Sequence, residues 1–237
     1  MGILDNVTSG RIKRKRKTFL YGTHGIGKTT FASKFPNPIF IQTEDGSSDL
    51  DVTRTPVLTK AGDVVSACRE AIDSDYGTIV LDSVDWLEAL VEKDLLSENF
   101  NQAFGQGLVE VGRRIGAVLG LLNKAVDSGK HVVILGHAHI KTVTRPDGSS
   151  WSRYEPKLGK HAYAKVSEWC DELLFANTVI KTQNKQVGMK QIAVGRETEE
   201  RALYTTGSAT YDAKHRASGL QDQYNLADFD TYFSDLA

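Results

Sequence analysis

The sequence contains few residues of the kinds that mark disulfide-rich, zinc-binding or membrane proteins. Its 237 residues include only two cysteines, Cys68 and Cys170, which are too few and too far apart for a disulfide framework or a cysteine-rich zinc site. Both lie among apolar residues, so we expect reduced thiols in the core. No apolar run is long enough to span a membrane, and no apolar signal core follows the charged N-terminus. These absences predict a soluble cytoplasmic protein without membrane partners.

The chain also has no excess of charge of one sign. It carries 29 basic and 30 acidic residues, a formal net charge of −1, so any site for a polyanion must be a local patch. We predict a basic N-terminal arm at residues 1–17, which ends in the run Arg-Ile-Lys-Arg-Lys-Arg-Lys at residues 11–17. A solvated arm and an arm that contacts nucleic acid phosphates are both compatible with this run. Residues 18–237 have the length of a single α/β domain.

One segment matches a phosphate-binding motif at every fixed position. The pattern G-x-x-x-x-G-K-[ST] is formed by Gly22, Thr23, His24, Gly25, Ile26, Gly27, Lys28 and Thr29, and Thr30 follows directly. In this P-loop the glycines allow a tight turn whose N–H groups point at phosphate oxygens. Lys28 would reach the β and γ phosphates, and the Thr29 hydroxyl would join the Mg²⁺ shell. We therefore predict that residues 22–30 bind a nucleoside triphosphate.

The flanks of this motif fit the P-loop context. A short β-prone run precedes it at residues 18–21, and a helical segment follows at residues 30–35. This order places a phosphate at the positive end of a helix dipole. A dinucleotide-binding fingerprint is excluded, because Thr30 stands where its third glycine should be.

Apolar runs alternate with helical patterns along the first 140 residues. We predict strands at residues 38–42, 78–82 and 131–136, and helices at residues 61–73, 86–96 and 107–127. Continuous apolar strands separated by helices are typical of a parallel sheet that is buried on both faces. Later segments favour antiparallel hairpins, at residues 140–154 with a turn at 146–148 and at residues 178–194 with a turn at 183–185.

Three polar residues end or follow predicted strands, at the sheet edge where open α/β folds bind ligands. Asp82 ends its strand and would hold Mg²⁺, or else cap the next helix. Glu44 would act as the base for an attacking water, or else form a turn before Gly46. His137 would sense the γ-phosphate, although a buried histidine with internal partners explains it nearly as well.

In order and spacing, these motifs resemble the RecA-type recombinase ATPase core over about residues 15–220. More narrowly, the chain resembles the compact phage-encoded RecA-like ATPases that act in single-strand annealing or recombination. The resemblance implies an α/β RecA-like P-loop core, ATP and Mg²⁺ as cofactors, and a ring or filament of identical subunits in the host cytoplasm. It also implies catalytic roles for Lys28, Glu44, Asp82 and His137, and Mg²⁺ contacts for Thr29 and Asp82.

In RecA-like proteins the loop after the sensor binds single-stranded DNA. Here residues 139–161 combine basic side chains for phosphates with aromatic side chains for base stacking. The predicted DNA-binding residues are Lys141, Arg145, Trp151, Arg153, Tyr154, Lys157 and Lys160. An ordinary exposed hairpin would explain the same pattern.

Two basic residues resemble the pair that reaches a neighbouring subunit's triphosphate in RecA-like filaments. These are Lys214 and Arg216, and the resemblance implies that ATPase activity depends on assembly. Solvated surface residues are the alternative interpretation.

Two other functions remain open at this point. A small-molecule P-loop kinase would use the same phosphate loop, with Arg145 and Arg153 on a closing lid. A nucleotide-switched DNA-binding protein without significant turnover would need Lys28 but could dispense with Glu44. A GTPase is disfavoured, since Asp82 does not begin a D-x-x-G motif.

Overall fold

The computed structural model describes residues 2, 7, 9–10, 14–101, 103–187 and 190–236. The strands in these ranges are β1 (Lys17–Gly22), β2 (Pro38–Gln42), β3 (Thr53–Arg54), β4 (Thr78–Asp82), β5 (His131–Thr144), β6 (Ser150–Pro156), β7 (Glu172–Val187), β8 (Lys190–Tyr204), β9 (Lys214–His215) and β10 (Gln223–Asn225). The helices are α1 (Lys28–Ala32), α2 (Ala61–Ile72), α3 (Val84–Ser97), α4 (Gln106–Asp127), α5 (Lys160–Trp169) and α6 (Phe229–Leu236).

The central sheet follows the strand order β10-β8-β7-β1-β5-β4-β2-β3, and β6 and β9 pair with β5 and β7 off this path. The six strands from β7 to β3 in this order run parallel to their neighbours. The strands β6, β8, β9 and β10 pair antiparallel. The predicted fold class is therefore confirmed as a mainly parallel sheet flanked by helices, with antiparallel strands added late in the chain.

The sheet is buried on both faces, as the continuous apolar strands predicted. On one face Phe19 and Tyr21 of β1 pack in a cluster that includes residues of α2, α3, α4 and α5. On the other face Leu20 packs in a second cluster with α1 and α6, where the rings of Phe31 and Tyr232 lie 5.2 Å apart. Both clusters hold the strands rigidly, so the residues that follow the strand ends are well positioned.

Of the two predicted hairpins, the first is confirmed and the second has its turn elsewhere. Strands β5 and β6 pair around residues 145–149, which include the predicted turn at 146–148. The predicted turn at residues 183–185 is wrong, because these residues continue β7 and pair with residues 192–194 of β8. The polar triplet there is turn-like in composition, but cross-strand register decides where a hairpin reverses.

Only part of the basic arm can be placed, since residues 11–13 lie outside the described residues. The guanidinium of Arg14 lies 2.6 Å from a carboxylate oxygen of Asp171, and Arg16 lies 3.7 Å from Glu172. These ion pairs hold the end of the arm against the start of β7. Contact between the arm and nucleic acid stays a prediction.

Two further expectations concern the whole chain. Both cysteines are free and buried, as expected for core thiols. None of the helices in the described part of the chain has the length and apolar content that crossing a bilayer requires.

Candidate nucleotide-binding site

The predicted P-loop connects the end of β1 with the first turn of α1. Gly25 and Gly27 have φ angles of +68° and +112°, a left-handed region that glycine adopts without strain. A Cβ atom on Gly22 would lie 2.3 Å from the carbonyl oxygen of Ala176, so the close approach of β1 to β7 also requires glycine. Thr30 is exposed in α1 beside the loop. The conformations of Gly25 and Gly27 are compatible with the tight turn that the motif requires.

Lys28 is buried, with its ammonium group held by the loop itself. Its Nζ donates hydrogen bonds to the carbonyl oxygens of Gly22 at 3.2 Å and Thr23 at 3.0 Å. Burial lowers the pKa of Lys28, and the carboxylates of Asp82 and Glu44 oppose that shift. Phosphate oxygens are charged acceptors and bind an ammonium more strongly than carbonyls do. A bound triphosphate can therefore replace the two carbonyl partners.

Thr29 and Asp82 meet beside the loop. The Thr29 hydroxyl donates to Oδ2 of Asp82 at 3.2 Å. Burial, followed by the charge of Glu44, raises the pKa of Asp82 to about 6. Asp82 does not cap the next helix, because the N-cap residue of α3 is Ser83.

This pair fits the Mg²⁺ ion that the motif implies. Hydroxyl and carboxylate oxygens are the hard ligands that Mg²⁺ prefers, and a cation would stabilise the buried, ionised form of Asp82. Within the described ranges, no group of three or more His, Cys, Asp or Glu side chains could hold a metal ion. The remaining ligands would be phosphate oxygens and water, which is the usual arrangement for Mg²⁺ at a triphosphate.

Glu44 follows β2, and His137 lies within β5. Both residues are at the same edge of the sheet. Nε2 of His137 lies 3.8 Å from Oε1 of Glu44, whose side chain is 21% exposed and so open to water. The ring of His137 also stacks on the ring of His24 in the P-loop, with centroids 4.1 Å apart. The proximity of His137, followed by burial, lowers the pKa of His24. The predicted base and sensor thus lie next to the phosphate loop.

Asp85, in the first turn of α3, joins this group, and we did not predict a site role for it. Its Oδ2 lies 2.8 Å from Nδ1 of His137, and its Oδ1 accepts the backbone N–H of His137 at 3.2 Å. Burial alone would raise the pKa of Asp85, but the hydrogen bonds and charge of His137 outweigh it and hold that pKa below its usual value. In the sequence, an acid in the first turn of a helix indicates only a favourable interaction with the helix dipole.

Strands β7 and β8 supply two more P-loop contacts that we did not predict. The guanidinium of Arg201 in β8 donates to the carbonyl oxygen of Ile26 at 3.1 Å. The Thr23 hydroxyl donates to Oδ1 of Asn177 in β7 at 3.4 Å. No local motif marks Arg201 or Asn177, because each is far from the P-loop in sequence.

Four of the predicted DNA-binding residues share one face of the β5–β6 hairpin. In the strand register Lys141 lies opposite Arg153, and Val143 lies opposite Trp151. Arg145 lies beyond the end of β5, with its guanidinium 4.8 Å from the centre of the Trp151 ring. The four residues on this face are Lys141, Arg145, Trp151 and Arg153.

Acidic neighbours partly neutralise this face. Nζ of Lys141 lies 3.1 Å from Oε2 of Glu155, and Nε of Arg153 lies 3.6 Å from Oε1 of the same carboxylate. Arg153 forms a second ion pair with Asp212. The indole N–H of Trp151 donates to the carbonyl oxygen of Ala209 at 2.8 Å. Both Trp151 and Arg153 therefore also fasten the hairpin to the segment that precedes β9.

The other three predicted DNA-binding residues lie elsewhere. Tyr154 points to the opposite face, where its ring packs 5.2 Å from that of Phe175. Lys157 is exposed in the segment that leads into α5, and Lys160 is exposed as the first residue of α5. The backbone N–H of Lys157 donates to the carbonyl oxygen of His137 at 2.7 Å, so this segment is attached directly to the predicted sensor.

Lys214 and Arg216 lie at the amino end of the sheet, away from the P-loop of their own chain. Lys214 pairs with Leu173 near the start of β7, and Arg216 lies 3.4 Å from Asp171. Since β7 runs parallel to β1, its start lies opposite the end of β1 that carries the P-loop. Their action on a neighbouring subunit stays a prediction.

Comparisons with known proteins point to one family. A protein-family model described as an AAA domain matches residues 14–217, which is most of the chain and includes the whole P-loop. A search of curated proteins found no match. The narrower likeness to phage recombination ATPases therefore depends on the motifs alone.

Proposed function

The chain belongs to the AAA domain family, and from that membership and the site geometry we propose that it is a magnesium-dependent ATPase that acts on single-stranded DNA. Family membership indicates nucleotide binding and an ATPase in general. The observation that carries the finer proposal is the convergence of Lys28, Thr29 and Asp82 beside Glu44 and His137. These are the residue types that phosphoryl transfer to water requires.

In the proposed reaction a water molecule attacks the γ-phosphorus of ATP. Its oxygen forms the new bond, the bond from the γ-phosphorus to the β–γ bridging oxygen breaks, and ADP and inorganic phosphate leave. Glu44 accepts the proton of the attacking water, while Lys28 neutralises charge on the β and γ phosphates. Thr29 and Asp82 would hold Mg²⁺, which supplies further neutralisation of phosphate charge.

The ATPase proposal is tested by measuring ATP binding and turnover of the full chain with and without Mg²⁺. Lys28→Ala should abolish nucleotide binding, because it removes the buried ammonium of the P-loop. Glu44→Gln should leave ATP affinity near wild type and lower turnover by a factor on the order of a hundred or more. Glu70→Gln, an exposed acid on α2, is the matched control and should behave as wild type. Wild-type turnover in Lys28→Ala would overturn the proposal.

The DNA part of the proposal is supported by the position of the hairpin. Its basic face carries Trp151 and Arg145, and the segment that leaves it is bonded to His137 through Lys157. DNA that extends from this face to Lys157 would come near His137, whose Nε2 faces Glu44. Aromatic and basic side chains together suit a single strand without sequence preference.

Titration of a labelled single-stranded oligonucleotide at several salt concentrations tests this part. Trp151→Ala should weaken binding by roughly 1–3 kcal/mol. Lys157→Ala should flatten the salt dependence, because it removes one phosphate contact, whereas Lys93→Ala on α3 should not. Unchanged affinity and salt slope in both Trp151→Ala and Lys157→Ala would move the DNA site elsewhere. Turnover that needs a small-molecule acceptor and ignores DNA would instead favour a kinase.

A further inference from the structure

The carboxylate of Asp85 holds His137 at two points. One oxygen accepts the backbone N–H of His137 at 3.2 Å, and the other lies 2.8 Å from Nδ1 of its ring. The side chains of Asp85 and His137 are only 7% and 8% exposed, so water competes little for these bonds. The ring of His137 is further restrained by the stack with His24. Both the position and the rotation of the imidazole are therefore fixed.

The same contact determines which nitrogen of His137 carries a proton. An ionised carboxylate can only accept hydrogen bonds, so Nδ1 must be the donor in its contact with Asp85. In a neutral imidazole the other nitrogen, Nε2, is then left with a lone pair. This lone pair is on the side of the ring that faces Glu44.

Nε2 and the Glu44 carboxylate are spaced for one water molecule. Their separation of 3.8 Å is too long for a direct hydrogen bond, and both atoms are acceptors when His137 is neutral. A single water that donates one hydrogen to each of them bridges such a gap. Both hydrogens of that water are then engaged, which leaves its oxygen lone pairs for the γ-phosphorus.

We propose that Asp85 is a positioning residue for hydrolysis, which keeps His137 in the tautomer whose Nε2, together with Glu44, orients the attacking water. This inference depends on the proposed ATPase function. It adds to that function a buried carboxylate that is hydrogen-bonded to His137. Asp85 acts only through His137, so its contribution must vanish when His137 is replaced.

The test uses Asp85→Asn, which keeps the size and shape of the side chain. Its amide oxygen can still accept the backbone N–H of His137, but its NH₂ group then faces Nδ1. Nδ1 must become the acceptor, and the ring hydrogen moves to Nε2. Turnover should fall by at least roughly 10- to 100-fold, the range seen when a carboxylate that orients a metal-ligating histidine is replaced. KM for ATP and the melting temperature should stay near wild type.

Two controls separate positioning from a general effect on the helix. Asp63→Asn removes an acid from the first turn of α2 and touches no site residue, so it should leave turnover unchanged. In a His137→Gln background Asp85→Asn should cause no further loss, because residues that act as one unit are not additive. Equal losses in both backgrounds would overturn the proposal, and so would full activity of Asp85→Asn.

Nitrogen NMR of His137 in the wild-type protein provides a measurement that needs no variant. The proposal expects the hydrogen on Nδ1, and a hydrogen on Nε2 would overturn it. The outcomes also separate the two proposals. An inactive wild-type protein contradicts the ATPase function, whereas an active protein with the Nε2–H tautomer contradicts only the role of Asp85.

Discussion

At the residue scale, His131 links the charge state of one imidazole to the stability of the fold. It begins β5, where its Nδ1 accepts the backbone N–H of Arg16 at 3.4 Å. Its ring lies edge-on to Phe35, with centroids 5.8 Å apart. Burial, followed by the charges of Lys15 and Arg16, lowers the pKa of His131 from its usual 6.5 to about 4. The folded protein therefore favours the neutral ring.

This shift predicts a loss of stability in mild acid. Because the folded pKa lies below the unfolded one, the unfolded chain binds a proton first as the pH falls. The stabilisation is complete above about pH 6.5 and is lost as the pH falls towards 4. The melting temperature of wild type should therefore drop more between pH 7.5 and 5 than that of His131→Gln. Equal slopes in the two proteins would contradict the prediction.

How well a site residue could be predicted depends on how far along the chain its partners lie. Residues 22–29 could be predicted individually, because one contiguous motif specifies the loop and its geometry. Glu44, Asp82 and His137 could be predicted as a group, because each follows or ends an apolar strand. Asp85 and Arg201 could not, since their partners lie 52 and 175 residues away and only the folded chain brings them together.

At the element scale, α4 and α5 pack closely enough that one glycine decides their spacing. A Cβ on Gly112 of α4 would lie 2.7 Å from Cβ of His161 and 3.1 Å from its backbone carbon. These are main-chain and Cβ atoms, which cannot swing aside as the end of a long side chain can. Gly120, two turns further along α4, is exposed and has no atom within 4 Å of a Cβ at its position.

The two glycines should respond oppositely to the same substitution. Gly112→Ala should destabilise the protein by roughly 1–3 kcal/mol, because it forces the two helices apart. Gly120→Ala should stabilise it by roughly 0.5–1 kcal/mol, because alanine has the higher helix propensity and nothing obstructs its methyl group. Urea unfolding of both variants measures the two free energies. A stabilising Gly112→Ala would mean that α5 does not pack on α4 as described.

Elements were predictable where a local pattern specifies them. The parallel strands follow from their apolar runs, and the first hairpin follows from the Pro-Asp-Gly turn at residues 146–148. The second hairpin was predicted with its turn too early. Pairing between β7 and β8 extends from Phe175 and Tyr204 out to Val187 and Lys190, and this register overrides the turn-like composition at residues 183–185.

At the scale of the whole molecule, the two ends of the sheet carry different groups. The carboxyl end holds the P-loop, Glu44 and His137, as open α/β sheets generally do. The amino end holds Lys214 on β9, and it holds Arg14 and Arg216 beside Asp171. A single chain cannot bring Lys214 to its own triphosphate without breaking the pairing of β9 with β7. Any catalytic use of this residue therefore requires a second subunit.

The resemblance to RecA-like filaments predicts that Lys214 and Arg216 act on the triphosphate of a neighbouring subunit. ATPase activity should then depend on the assembly of subunits. ATP turnover per chain should rise with protein concentration. Replacing both Lys214 and Arg216 by Ala should lower it by a factor on the order of 10³, as for other cations supplied in trans. Mixing this double variant with Lys28→Ala should restore turnover, because each Lys28→Ala chain can offer an intact basic pair to the P-loop of its neighbour. Lys93→Ala, at an exposed position of α3, serves as the charge control and should keep wild-type turnover without mixing. Constant turnover per chain at all concentrations, with no gain on mixing, would show that each subunit works alone.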